Sequence, residues 1–177
     1  MKTHTNACIL LDRDGILNEE QGDYVFRPDD FIIPADVPAG LQKLKAAGFR
    51  LVVVTNQGGI SKGLYTNDHV LKLHKKLQDA CGGIIDYLLF APWHRSISAS
   101  LSAKPGSLML ERGLALTGSA AANSWIIGDS ERDMVAGRAA GLSCILLPGK
   151  KEQHSTLADF IGTDFTSAAD WILAGKG

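Results

Sequence analysis

Long hydrophobic runs, paired cysteines and blocks of one charge are all scarce in this chain of 177 residues. Each scarcity excludes a class of protein. The longest apolar run near the start, Ala7 to Leu11, has five residues and runs straight into Asp12-Arg13-Asp14. A membrane-spanning helix needs about 20 apolar residues, and a signal peptide an apolar stretch of about 7–15. Neither is expected, so the reading is no membrane partner and a cytoplasmic address. The three cysteines, Cys8, Cys81 and Cys144, are odd in number and far apart. That suits neither a disulfide framework nor a metal-ligand spacing, and all three are expected to be small buried apolar residues. Eighteen basic side chains face nineteen acidic ones for a formal charge of −1, and no basic run exceeds a pair such as Lys75-Lys76 or Lys150-Lys151. Nucleic acid is therefore not expected as a partner.

What is present is a regular alternation. The length and the 45% hydrophobic content suit a single domain over residues 1–177. Short apolar runs at Ala7–Leu11, Arg50–Thr55, Ile84–Phe90, Ser124–Gly128 and Ser143–Leu147 have the pattern of strands covered on both faces. Segments of helical period separate them. One has Asp36 as cap, Pro38 in its first turn and Gly48 as its stop; a second runs from Asn67 or Asp68 through Val70, Leu73, Leu77 and Cys81. A third should begin near Pro105 and a fourth near Glu131, ending by Gly141. The expected fold is α/β, a single doubly wound, Rossmann-like parallel sheet. Asn18–Pro34 and Ala91–Ala103 are the long loops.

The chemistry gathers at strand ends. Asp12 and Asp14 follow the first run, and side chains two apart on an extended chain point the same way, so the two carboxylates are expected to converge. Asp129 ends the fourth run at what should be the same sheet edge. Carboxylates gathered there repel unless a cation lies between them, and Mg2+ is the hard cation that takes oxygen ligands and phosphate together. Thr55 ends the second run, and Lys104 stands before Pro105. A hydroxyl, an ammonium and the backbone N–H groups of Asn56-Gln57-Gly58-Gly59 could neutralise and position phosphoryl oxygens. Taken singly, Asp-x-Asp is a turn, Thr55 a strand residue, Lys104 a surface charge and Asp129-Ser130 a helix cap. The ordered set at strand ends points to an aspartyl-phosphate route.

These residues resemble the haloacid dehalogenase superfamily of phosphatases. The four motifs are Leu10-Leu11-Asp12-Arg13-Asp14-Gly15, Val54-Thr55-Asn56-Gln57, Lys104-Pro105 and Ile127-Gly128-Asp129-Ser130-Glu131-Arg132-Asp133, in the family's order. Asp12-Arg13-Asp14-Gly15-Ile16-Leu17-Asn18, Thr55 to Gly63 and the terminal Ala168-Ala169-Asp170-Trp171-Ile172 are similar to the D,D-heptose 1,7-bisphosphate and histidinol-phosphate phosphatase subfamily. The resemblance implies Asp12 as nucleophile and magnesium ligand. Asp14 would be general acid then base, and a ligand through its backbone carbonyl, with Asp129 the remaining ligand. Thr55 and Lys104 would hold the phosphoryl group and Asp133 would orient Lys104.

The implied substrate is a small sugar phosphate, first D-glycero-D-manno-heptose 1,7-bisphosphate losing its 7-phosphate, with histidinol phosphate or another small phosphomonoester as the alternative. The subfamily's zinc loop, with a Cys-x-His pair and a Cys-x-Cys pair, is replaced here by Ala91-Pro92-Trp93-His94 and Ser100-Leu101-Ser102-Ala103, so no structural zinc is expected. The arginine common before the motif lysine is Ala103. Fewer than fifty residues separate Asp14 from Thr55, and Thr55 from Lys104, which leaves no room for a large cap domain. Selectivity then falls to Glu19–Asp30, Gly58–Leu64 and Ala91–Ala103, where Tyr24, Arg27, Lys62, Trp93 and Arg95 are the candidate contacts. A phospho-acceptor receiver domain is disfavoured, because the third run is followed by Ala91-Pro92-Trp93 and not by an acceptor aspartate.

Overall fold

The aliphatic runs pair into one parallel sheet. The computed structural model describes residues 6–148 and 154–175, and the Lys150-Lys151 pair lies outside them. In chain order the elements are β1 (Cys8–Leu11), α1 (Asp36–Ala46), β2 (Arg50–Asn56), α2 (Asn67–Cys81), β3 (Tyr87–Ala91), α3 (Leu108–Thr117), β4 (Trp125–Gly128), α4 (Glu131–Ala139), β5 (Ser143–Leu146), β6 (Phe160–Ile161) and α5 (Phe165–Leu173). The strand order is β3-β2-β1-β4-β5-β6 with every neighbouring pair parallel. The chain reverses direction across β1, and the crevice at such a switch point is where open α/β sheets bind ligands. After β1 and after β3 come only loops and a short 3-10 turn at Pro28–Asp30, so no cap domain covers that edge among the described residues.

Period-two alternation divides the core into two layers. Ile9, Leu11, Leu51, Val53, Trp125, Ile127 and Ile145 face α1, α2 and α5, whereas Cys8, Leu10, Val52, Val54, Ile126, Cys144 and Leu146 face α3 and α4. Strands buried on both faces need apolar residues at every position, which is why their sequences run without polar interruption. The three thiols are buried and unpaired. The register places Leu11 beside Val53 on one side and Ile127 on the other. Thr55 and Asp129 are therefore carried to the edge at nearly the level of Asp12.

Three expectations shift and two elements are added. β3 starts at Tyr87 and not at Ile84, because the Gln78 side chain takes both backbone groups of Ile85, donating to its carbonyl (2.7 Å) and accepting from its N–H (3.1 Å). Asp36 is the first residue of α1 and not its cap; its carboxylate accepts from the Thr166 N–H (3.1 Å) and ties α1 to α5. α3 begins at Leu108, since Gly106 N–H closes a turn on the Ala103 carbonyl (2.8 Å) and holds Pro105 outside the helix. β6 and α5 complete the sheet edge and its cover. α5 carried a readable signal, an Asp164 cap accepting from Ser167 N–H (2.7 Å) ahead of Phe165, Ala168, Ala169 and Ile172.

Candidate active site

At the carboxyl edge, Asp12 stays in the ladder after β1 ends, its N–H donating to the Ile127 carbonyl (2.9 Å). Lys104 reaches in from the loop before α3 and is 3% exposed. Its Nζ lies 3.0 Å from Asp12 Oδ1 and 2.6 Å from Asp133 Oδ1. Asp133 is held from its other side, where Oδ2 accepts from the Ser130 N–H (3.2 Å) and hydroxyl (2.6 Å) in a capping box at the start of α4. Asp129 completes the cluster. One carboxylate oxygen from each of Asp12, Asp129 and Asp133 falls within 4.8 Å of the others, and among the described residues this is the one such group.

Three buried carboxylates face two cations, the Lys104 ammonium and the Arg132 guanidinium, which leaves excess negative charge, and the proton affinities reflect it. Burial pushes Asp129 up to about 7, with Asp12 and Asp133 adding to the rise. Burial likewise pushes Asp12 up to about 6, although Lys104 pulls the other way. Asp133 is also penalised by burial, but Lys104 and Ser130 outweigh that and hold it below the usual carboxylate range. The Lys104 ammonium is favoured beyond its ordinary value, because Asp12 and Asp133 more than offset its burial. Asp129 Oδ1 is buried with no hydrogen-bond partner. An all-oxygen donor set with an unpartnered buried oxygen and excess negative charge fits a hard divalent cation.

Asp14 and Asp12 are near one another without sharing a strand. The strand stops at Leu11 and the chain turns, with Leu17 and Asn18 N–H groups donating to the Arg13 carbonyl (2.8 and 3.1 Å). Asp14 near Asp12 contributes to the rise of the latter's pKa, but its carboxylate has its own shell. Arg13 donates to it from Nη2 (2.7 Å to Oδ1 and 2.9 Å to Oδ2) and from Nε (3.1 Å), Asn18 from Nδ2 at 3.1 Å, and Gln57 from Nε2 at 2.9 Å. Arg13 was not singled out in the sequence. It is buried, lies over the Phe31 ring at 5.5 Å and donates to the Val25 carbonyl (3.1 Å). An arginine between two functional aspartates was the available signal.

Thr55 is buried at the end of β2, where its Oγ1 accepts from Gln57 Nε2 (2.9 Å). The Asn56 and Gln57 side chains, grouped in the sequence with the phosphate contacts, are engaged within the protein. Asn56 clamps the main chain of Lys104, donating to its carbonyl (2.8 Å) and accepting from its N–H (2.9 Å). The Gln57 N–H is spent on the Ala91 carbonyl (2.8 Å). Two cavities open on the site. One of about 250 Å³ is lined by Asp14, Glu20, Asp23, Tyr24, Gln57 and Arg132, and one of about 660 Å³ by Tyr24, Trp93, Arg95, Ala103, Lys104 and Arg132. Of the loop candidates, Tyr24, Trp93 and Arg95 line them; Lys62 donates to the Tyr24 hydroxyl (3.0 Å), and Arg27 pairs with Asp30 (3.9 Å). Loop 91–103 is braced by Ser61 Oγ accepting from the His94 N–H (2.9 Å) and by a Ser100–Ser102 hydroxyl contact (2.8 Å).

Comparison with known proteins agrees with this frame. A family model described as HAD-hydrolase-like matches residues 102–171. The D-glycero-beta-D-manno-heptose-1,7-bisphosphate 7-phosphatase of Yersinia pestis is 32% identical over 185 residues, covering 97% of this chain and 92% of that protein. The enzyme of the same name from Neisseria meningitidis serogroup B is 32% identical, covering 80% and 78%. Among solved structures, the D,D-heptose 1,7-bisphosphate phosphatase of B. bronchiseptica, complexed with magnesium and phosphate, superposes with a TM-score of 0.86 at 23% identity over 96% of this chain and 99% of that one. That of Burkholderia thailandensis superposes with a TM-score of 0.69 at 25% identity, again over 96% and 99%. Fold and relatives together define a phosphoric monoester hydrolase. The chain belongs to the haloacid dehalogenase phosphatases, in the branch that holds these heptose bisphosphate enzymes.

Proposed function

We propose that this phosphatase removes the 7-phosphate of D-glycero-D-manno-heptose 1,7-bisphosphate by way of a phospho-aspartate on Asp12. The names of the relatives support the substrate. For the chemistry, the carrying observation is the buried Lys104 ammonium 3.0 Å from the Asp12 carboxylate at the sheet edge. An ammonium there offsets the repulsion between an attacking carboxylate and a phosphate dianion. Asp12 Oδ attacks phosphorus as the bond to the sugar oxygen breaks, and Asp14 gives that oxygen its proton. Asp14 then takes a proton from the water that attacks the phospho-aspartate, which releases inorganic phosphate and restores Asp12. Thr55 and Lys104 hold the phosphoryl oxygens, and Asp133 aims Lys104.

Asp12, Asp129 and the Asp14 backbone carbonyl are the residues that would hold Mg2+. When bound it supplies positive charge against the phosphoryl oxygens and the clustered carboxylates. No structural zinc is proposed, since loop 91–103 offers serine hydroxyls where thiolates would be needed. The three unpaired buried thiols suit a cytoplasmic enzyme, and the relatives' names support a role in carbohydrate metabolism. A second reading, another small phosphomonoester such as histidinol phosphate, is favoured by Ala103, which puts a methyl group in the wall of the larger cavity.

The test is phosphate release from a panel of sugar bisphosphates, sugar monophosphates and histidinol phosphate, with magnesium and with EDTA. Release from the heptose bisphosphate that is at least about tenfold more efficient than from any other substrate, and lost in EDTA, is the expected result. Preference for a different phosphoester would remove the substrate assignment, and full activity in EDTA would remove the metal.

Two further outcomes follow from the cluster. Asp129 and Asp12 are both raised, so the metal-free protein binds protons between about pH 4 and 7 that the unfolded chain does not, and this part of its stability grows as pH falls. A divalent cation needs those groups ionised, so magnesium must raise the melting temperature more at pH 8 than at pH 6. Apparent affinity should fall by up to about tenfold per pH unit between about 7 and 6, where Asp129 takes up its proton, and more steeply below about 6, where Asp12 does so as well. Thermal melts at fixed magnesium check this, and equal shifts at both pH values would refute it. Gly15 has φ +86°, and a Cβ there would run into the Asp129 carboxylate. Gly15→Ala should cost about 1–2 kcal/mol of stability through backbone strain and weaken magnesium activation at least about tenfold by displacing Asp129. A magnesium titration of activity measures the second effect.

A further inference from the structure

Asp14 does its work from a loop, so something must hold its carboxylate where the leaving oxygen will be. Arg13 and Asn18, from the same turn, hold one side. The other side is held from a different part of the chain. Gln57, 1% exposed, sends Nε2 to Asp14 Oδ2 (2.9 Å) and to Thr55 Oγ1 (2.9 Å). A carboxylate only accepts hydrogen bonds, so the amide nitrogen must face Asp14 and the amide oxygen must face away. There it accepts from the Tyr65 hydroxyl (2.8 Å). Burial pushes the Tyr65 phenol up, away from ionisation, so that hydroxyl keeps its proton and has the correct sense to donate.

Tyr65 is itself fixed. Its ring stacks on Phe26 (centroids 5.4 Å apart, 13° between planes) and meets Tyr24 at 5.9 Å. Gly59 also lies against it, where any Cβ would strike the ring. A rigid ring therefore presents one donor to one amide oxygen, and that fixes which end of the amide meets the acid. The bond to Thr55 has a second consequence. Thr55 Oγ1 receives a hydrogen bond from Gln57, which leaves the Thr55 proton to be donated outward, toward a phosphoryl oxygen.

We infer that Gln57, locked in orientation by the Tyr65 hydroxyl, is a positioning residue that aims the acid Asp14 at the leaving-group oxygen while turning Thr55 toward the phosphoryl group. The inference rests on the proposed role of Asp14 as general acid. Without the tyrosine hydroxyl the buried amide oxygen loses its donor, and an amide that shifts to find another moves its nitrogen off Asp14 and lets the carboxylate drift out of line. Proton delivery suffers most for a poor leaving group. An alkoxide needs its proton as the bond to phosphorus breaks, whereas a nitrophenolate leaves without one.

The experiment compares wild type, Tyr65→Phe, Gln57→Leu and Asp14→Asn on an alkyl phosphate (a sugar monophosphate) and on p-nitrophenyl phosphate. The readout is kcat/KM, which reports the steps up to phospho-aspartate formation. Tyr65→Phe should keep its melting temperature and lower the alkyl-to-aryl ratio of kcat/KM about tenfold. Gln57→Leu should lower the ratio further, toward that of Asp14→Asn. Any loss routed through Thr55 falls equally on both substrates and cancels in the ratio. An unchanged ratio in Tyr65→Phe and Gln57→Leu, with a lowered ratio in Asp14→Asn, overturns the positioning role and leaves the acid in place. An unchanged ratio in Asp14→Asn as well overturns the acid role, and the positioning role with it.

Discussion

Asp12→Asn is expected to lower kcat/KM by at least about 10⁴-fold while the protein remains folded. The amide has the shape of the carboxylate and can still accept from Lys104 Nζ and from the Arg13 N–H, contacts of 3.0 and 2.7 Å in the parent. What it lacks is the negative oxygen that attacks phosphorus. Stability should hold or rise, because Asp12 is ionised at a buried site beside Asp133 and Asp129, and the neutral amide relieves both the burial cost and that repulsion. Circular dichroism and a thermal melt establish the fold, and phosphate release at pH 7.5 with magnesium measures the loss. Activity within about a hundredfold of the parent in a folded Asp12→Asn protein would remove Asp12 as the nucleophile.

Lys104→Met should fail in both respects. The Lys104 side chain is fully buried between Asp12 and Asp133, whose side chains are 4% and 0% exposed. Taking one partner from a buried ion pair leaves uncompensated charge, at a cost of about 3–5 kcal/mol. In a chain of this length that lowers the melting temperature by about 10 °C. The loss should be smaller at pH 6 than at pH 8, since carboxylates deprived of the ammonium take up protons more readily. Phosphatase activity should fall at least about 10³-fold, because a phosphoryl-holding cation goes with it.

The double variant Lys104→Met/Asp133→Asn separates the two effects. It should recover part of the lost stability by removing one stranded charge, and none of the lost activity. Recovery of activity in the double variant would show that Lys104 serves only to balance Asp133.

Much of the site was legible because parallel sheets write themselves plainly. A strand covered on both faces must be apolar at every position, so the first charged or hydroxylated residue after each run marks the sheet edge. Asp12, Thr55 and Asp129 were found in that way, and the register of Leu11 with Val53 and Ile127 brings them level. Asp133 came only from the resemblance of the fourth motif to the family's. Arg13, Tyr65 and the directions of the Asn56 and Gln57 side chains were not legible. Each depends on a partner distant in the chain or across a turn, such as Lys104 for Asn56, Tyr65 for Gln57, and Phe31 and Val25 for Arg13. A polar side chain beside a phosphate site can face substrate or protein with equal chemical sense.

The sequence by itself determined the order of the first five strands and four helices, the edge at which chemistry gathers and the residue types placed there, because hydrophobic periodicity and turn residues act over a few neighbouring positions. Only the tertiary structure decided which carboxylate joins Asp12 and Asp129 in the buried cluster. Asp133 does so from the first turn of α4, while the Asp14 carboxylate lies outside that group in the grip of Arg13, Asn18 and Gln57. The physical reason is that charge compensation in a buried site acts through space: the Lys104 ammonium gathers the carboxylates within its reach, whatever their separation along the chain.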